Sequence, residues 1–178
     1  MPQKPSEAAP AARSPSAAPS IPALLDLILD THHVFARDAL LRARECAEGI
    51  PPADLQRDER LPKLQEAVAA LNDEMLTHMH REEVMLFPVL RQMAASAEVD
   101  GVDMDIIRPP IECMEREHGF IDELLDYIRQ LTDDFRPPAW AAPAHRELLE
   151  ELAAFAADTA EHVRKENETL FPMALSLA

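Results

Sequence analysis

Glycine is almost missing from this sequence, with 3 in 178 residues. The β-branched residues are scarce as well: 7 Val, 8 Ile and 5 Thr stand against 29 Ala and 22 Leu. Strand-rich folds draw on the β-branched set and on glycine turns, whereas Ala, Leu, Glu, Arg and Met favour helix. The composition therefore predicts an all-α protein. Basic residues are also in deficit, 17 Lys+Arg against 33 Asp+Glu, for a formal charge of −16 with 7 His uncounted. Nucleic acids and anionic membrane surfaces both ask for clustered Lys and Arg, so neither is an expected partner. Only two cysteines occur, Cys46 and Cys113, in no CxxC pattern. That argues against a disulfide framework or a zinc ribbon and makes a reducing cytoplasm the expected setting. No uncharged apolar run reaches the roughly 18 residues of a membrane helix. The first 20 residues interleave Ala and Pro with Ser and charges and so do not read as a signal peptide.

Length and a 47% apolar content suit one domain with a core. Residues 1–20 hold five of the 16 prolines, no aromatic residue and little charge, the composition of a disordered tail. The remainder, 21–178, divides at its prolines and glycines into four apolar-periodic segments. The first runs from about Pro22 to Glu48 and stops at Gly49-Ile50-Pro51-Pro52; the second runs from about Pro62 to Ala95. Pro88 lies inside the second and is expected to kink or end its regular hydrogen bonding one turn earlier, having no N–H for the Val84 carbonyl. The third begins with Pro109-Pro110 in its first turn and runs to about Thr132; the fourth follows Pro143 and reaches Leu170 before Phe171-Pro172. Four such helices with short connections predict an up-down-up-down four-helix bundle.

The strongest signal is an internal repeat. His78–Pro88 and His162–Pro172 both read H-x3-E-x3-L-F-P, at a constant offset of 84 residues. The bundle is thus expected to be two similar helical hairpins. Positions i and i+4 share a helix face, so His78 pairs with Glu82 and His162 with Glu166, and an imidazole and a carboxylate one turn apart can grip one metal ion. A single such pair is as well explained by a surface ion pair; two copies with a common Leu-Phe-Pro tail favour metal binding.

If the hairpins repeat, the other two helices should each add a ligand. The third helix offers His118, on the face of Ile111, Met114, Ile121, Leu125 and Ile128. The first offers His32 and His33. His33 is preferred, because Ala36, Leu40 and Ala43 follow it at the spacings of Ile121, Leu125 and Ile128 after His118, while His32 stays open as the alternative, with Leu25, Ile28, Phe35 and Ala39 around it. Six ligands, His33, His78, Glu82, His118, His162 and Glu166, are too many for one zinc ion and too nitrogen-rich for magnesium or calcium. They suit two ions about 3.5–4 Å apart bridged by the carboxylates, with iron ahead of manganese or zinc. Open positions on such ions, among Leu, Met and Phe side chains, would admit a small neutral ligand such as O2 or NO.

These motifs resemble the hemerythrin-like, HHE cation-binding family. The resemblance rests on Thr31-His32-His33-x3-Arg37, His78-x3-Glu82-x3-Leu-Phe-Pro, Glu117-His118 and His162-x3-Glu166-Asn167-x2-Leu-Phe-Pro, across about residues 21–175. Within the family it is closer to the di-iron proteins that repair iron-sulfur clusters damaged by nitric oxide or oxidants. It implies a non-heme di-iron centre with bridging glutamates, and ligands His33, His78, Glu82, His118, His162 and Glu166. Two departures matter. The repair proteins carry one more histidine before the HxxxE motif of the second helix, where ungapped alignment puts Asp54, a substitute oxygen ligand. They also have an N-terminal domain with a cysteine pair, where this sequence has its Pro/Ala tail.

Asp122, one turn after His118, is a further outside candidate for the metal, with a solvated acid as the plainer reading. Glu83 and Glu168 read as surface charges, and His80 and His145 as lying away from the site. Met75, Met79, Met85 and Met114 read as packing, Cys46 and Cys113 as core. Gly119, in a helix interior, either makes room beside the site or is a tolerated weak spot. The function expected first is a cytoplasmic stress-response protein that binds O2 or NO without catalysis, as a sensor, store or scavenger. The alternative is repair of damaged iron-sulfur proteins by iron donation, or turnover of NO or peroxide.

Overall fold

The computed structural model describes residues 19–95 and 104–177, so the expected tail at 1–20 lies outside the described residues but for its last two. All regular structure among these residues is helical. Helix α1 (residues 21–48) starts where Ser20 accepts the Ala23 N–H at 3.4 Å, with Pro22 in the first turn, and ends at Gly49. A short helix, α2 (Pro52–Arg57), occupies the connection, started by Pro51-Pro52, whose ring-fixed φ suits a first turn. The long helices α3 (residues 60–95), α4 (Met104–Leu131) and α5 (residues 143–175) complete an up-down-up-down bundle in which α1 packs most closely on α5 and α3 on α4. On α1 the small residues Ala36, Ala39 and Ala43 let Leu148, Leu152 and Phe155 of α5 approach closely.

Two of the prolines behave differently from the sequence expectation. Helix α4 begins at Met104, so Pro109 and Pro110 lie inside it and not in its first turn. Ile107 and Ile111, one turn apart and each 1% exposed, both bury on the same face, which favours helix through the prolines. Both prolines face solvent, where the carbonyls they leave without donors can be hydrated.

Pro88 does not end α3, but regular α-helical hydrogen bonding stops ahead of it, as expected. The strain is absorbed one turn earlier by a π-helical turn, Glu82–Leu86, in which Phe87 N–H bonds the Glu82 carbonyl five residues back. The same device precedes Pro172: a π turn at Glu166–Leu170, with Phe171 N–H on the Glu166 carbonyl. A third π turn, Ile28–His33, sits in α1 without a proline. Each wide turn adds a residue and rotates the face that follows. Leu86, Phe87 and Leu90 therefore bury while Met85 is 67% exposed, so Met75, Met79 and Met114 pack in the core as expected and Met85 does not.

The apolar interior is split in two. One cluster, with Leu40, Leu71, Met75, Leu125 and Phe155, fills the end holding the α1–α3 connection; another, with Leu25, Ile28, Leu90, Ile111 and Phe171, fills the other end. Between them lies a layer of buried histidines and glutamates.

Candidate metal centre

All three π turns fall on this polar layer: His33 closes one, and Glu82 and Glu166 open the others. Such widened turns are frequent at functional sites because they re-aim side chains out of α-helical register. The layer brings together His33 from α1, His78 and Glu82 from α3, His118 from α4, and His162 and Glu166 from α5, each 2% exposed or less.

The six residues form two overlapping groups. His33 and His162 join Glu82 and Glu166 in one; His78 and His118 join the same two glutamates in the other, with ligand atoms in each group within 4.8 Å of one another. In the first, His33 Nε2 is 3.2 Å from Glu82 Oε2 and His162 Nε2 is 3.0 Å from Glu166 Oε1. In the second, His78 Nε2 is 3.4 Å from Glu82 Oε2, His118 Nε2 is 3.1 Å from Glu166 Oε2, and the two imidazole Nε2 atoms are 3.1 Å apart. Ligands held about 2.1 Å from one ion stand roughly 3.0–3.4 Å from each other, so these separations fit shared coordination.

The hydrogen bonding points the same way. His33 Nε2, both Glu82 oxygens, His162 Nε2 and both Glu166 oxygens are buried without a hydrogen-bond partner among the described residues. Buried polar groups are ordinarily satisfied, and six unsatisfied atoms converging on one spot are a set that could hold a cation. The donor set of four nitrogens and two carboxylates fits a transition-metal ion or zinc better than calcium or magnesium.

Electrostatics prepare the ligands. Burial, with the neighbouring His162 ring, lowers His33 to about 4 in spite of its bond to Glu83. Burial and the facing His118 ring lower His78 to about 4 as well. Both are neutral at pH 7, the form that ligates. Burial and the adjacent Glu166 push the Glu82 carboxyl well up. Burial acts to raise Glu166 too, but His162 and His118 together outweigh it and hold Glu166 well below the usual carboxylate range.

Three of the four ring nitrogens that face away from the centre, those of His33, His78 and His118, are held by a further set of residues. His33 Nδ1 meets Glu83 Oε1 at 2.7 Å, and Arg37 holds the same oxygen at 2.7 Å. His78 Nδ1 meets Glu117 Oε2 at 3.1 Å, with Arg81 on the other Glu117 oxygen. His118 Nδ1 meets Asn167 Oδ1 at 3.0 Å. Phe87 and Phe171 stack on His33 and His118 at ring-centroid distances of 5.8 and 6.1 Å, dry walls beside the ligands.

The model of the hemerythrin HHE cation binding domain matches residues 25–174. The chain belongs to that hemerythrin family. It is similar to the "iron-sulfur cluster repair protein YtfE" of Yersinia pestis (strain Pestoides F) and of Yersinia pseudotuberculosis serotype O:1b, each 30% identical over 152 residues. The matched segment is 85% of this hemerythrin-family chain and 65% of the length of each relative.

Of the candidates outside the six, none joins the centre. Asp54 Oδ2 accepts the Ala142 N–H at 2.9 Å, some 20 residues and so roughly 30 Å of helix from His162. Its place on α2, anchored to the start of α5, rules it out as the substitute for the family's extra histidine. Asp122 is exposed. His32 turns its Nδ1 to Asp158 at 3.0 Å and stacks on His162 at 5.3 Å, leaving His33 as the residue that faces the glutamates. His80 is exposed, and His145 lies beside Trp140 at the far end of α5. Cys46 and Cys113 are half-buried free thiols and not core residues. A side chain on Gly119 would meet nothing within 4 Å, which selects the weak-spot reading.

Glu83 is no simple surface charge, and the sequence reading missed the roles of Glu117, Asn167 and Arg37. Their signal was adjacency: Glu83, Glu117 and Asn167 stand next to Glu82, His118 and Glu166, and Glu83 and Asn167 are 84 residues apart, the offset of the glutamates.

Proposed function

We propose that this hemerythrin-family chain holds two iron ions, one per histidine pair, bridged by Glu82 and Glu166, and serves in the repair of iron-sulfur clusters under oxidative or nitrosative stress. The observation that carries the two-ion reading is that both glutamates belong to both ligand groups. The repair reading is supported by the name of the relatives, and it covers only the part of them that this chain matches. Bound iron supplies redox-active positions for O2 or NO and a store of iron for donation. The protein's own contribution would be to keep His33 and His78 neutral, to aim four imidazoles and two carboxylates at the ions, and to exclude bulk water with Phe87 and Phe171. The free thiols suit a reducing cytoplasm.

The dry walls around His33 and His118 also favour a second reading, a carrier or sensor of O2 or NO. Incubating the iron-loaded chain with a dehydratase whose cluster has been damaged by NO separates the two. Recovery of dehydratase activity above that given by free ferrous iron supports repair; reversible colour change with O2 or NO and no recovery supports the carrier.

A further inference from the structure

The offset between the hairpins extends beyond the ligands. Glu83, which holds His33, corresponds to Asn167, which holds His118. Glu117, which precedes ligand His118 and holds His78, corresponds to His32, which precedes ligand His33. The partner of His32 across the bundle is His162, but the contact is a parallel stack at 5.3 Å and 8°, not a hydrogen bond, and His162 Nδ1 is buried without a hydrogen-bond partner among the described residues. His32 is tied down from outside by Asp158. Three of the four imidazoles thus have an acceptor fixing ring and tautomer, and the fourth has only a ring beside it.

Acceptors of this kind typically change metal affinity by about 10–100-fold. We propose that His162 is the most weakly held ligand of the centre, that His32 is the positioning residue responsible, and that the ion held by His33 and His162 is the one that exchanges, while the ion held by His78 and His118 is retained. This rests on the two-ion reading above and deepens it, since it names which position would supply iron. Arg81, which backs Glu117, has Lys165 as its counterpart, now paired with Glu161. A carboxylate at position 32 would lie beside His162, with Lys165 at the position that corresponds to Arg81.

The test is a chase of the anaerobically iron-loaded full chain with excess ferrous chelator, after its iron content is measured. The expected result is two ions per chain leaving in two equal phases with rates about 10-fold or more apart. His32→Glu should slow the fast phase and leave the slow one; Glu117→Ala should speed the slow phase and leave the fast one. Two ions leaving at one rate, or a fast phase that His32→Glu does not slow, overturns the inference. If His32→Glu fails to load, Glu117→Ala decides alone, an unchanged slow phase overturning it. Fewer than two ions before the chase overturns the two-ion reading instead.

Discussion

The two hairpins, residues 21–95 and 104–175, agree where side chains point to the bundle axis and differ one layer out. Glu82 and Glu166, the π turns they open, and Phe87 and Phe171 behind them are interchangeable in role. Outside that layer Glu83 corresponds to Asn167, and Glu117 to His32, as counterparts of unequal charge. The first hairpin also adds Arg37 to Glu83. On the proposed two-ion reading, the inner agreement would build two cation positions from one motif used twice, and the outer disagreement would make them unequal. A polar layer of this size between two apolar clusters is costly to bury alone, and a bound cation would compensate for that cost.

The largest break in the comparison comes at the shared residues. Glu82→Ala removes a ligand from both groups and should reduce bound iron from two per chain to near zero, measured by metal analysis after anaerobic loading. His118→Ala touches only the second group, and the expected outcome is loss of one ion of two, with the His33 group still loaded. Equal loss from both variants would show that the groups are not separable.

A pH titration of the metal-free protein probes the same layer without iron. His33 and His78 are lowered to about 4 in the fold from 6.5 when unfolded. The unfolded chain therefore binds more protons between those values, and stability falls as pH drops from about 6.5 to 4, by on the order of 3 kcal/mol for each histidine. Glu82, whose carboxyl is raised, opposes the loss, since its contribution grows as pH falls through its folded value. Glu82→Gln removes that offset and should steepen the decline in chemical denaturation across this window; a flat profile in both proteins contradicts the assignment.

The smallest effect lies outside the centre. Gly119→Ala adds a methyl that meets nothing within 4 Å on an exposed helix position. It should stabilise by about 1 kcal/mol and raise Tm by roughly 2–4 °C, with iron content unchanged. A loss of iron would revive a role for Gly119 beside the site.

What could be read in the sequence follows the periodicities. Four helices, their hairpin repeat and the six axial residues came from 3.6-residue spacing and from an 84-residue offset, both of which are local or additive along the chain. The choice of His33 over His32 needed only the flanking apolar positions. The π turns were out of reach, because Pro88 announces a disturbed turn but not whether the helix breaks or widens; Met85 was misplaced for that reason. Glu83, Glu117 and Asn167 contact histidines on other helices, α3 to α1, α4 to α3 and α5 to α4, and their adjacency to the motif residues marks the positions but not the partners. Asp54 shows the opposite error: an alignment slot suggested a ligand where the fold required a partner for the start of α5.

The most direct test is the iron content of anaerobically purified protein from iron-replete cells, read by metal analysis beside protein concentration. Two irons per chain, falling to about one in His118→Ala and to near zero in Glu82→Ala, is the predicted result. Iron near zero in the unaltered chain would contradict the account.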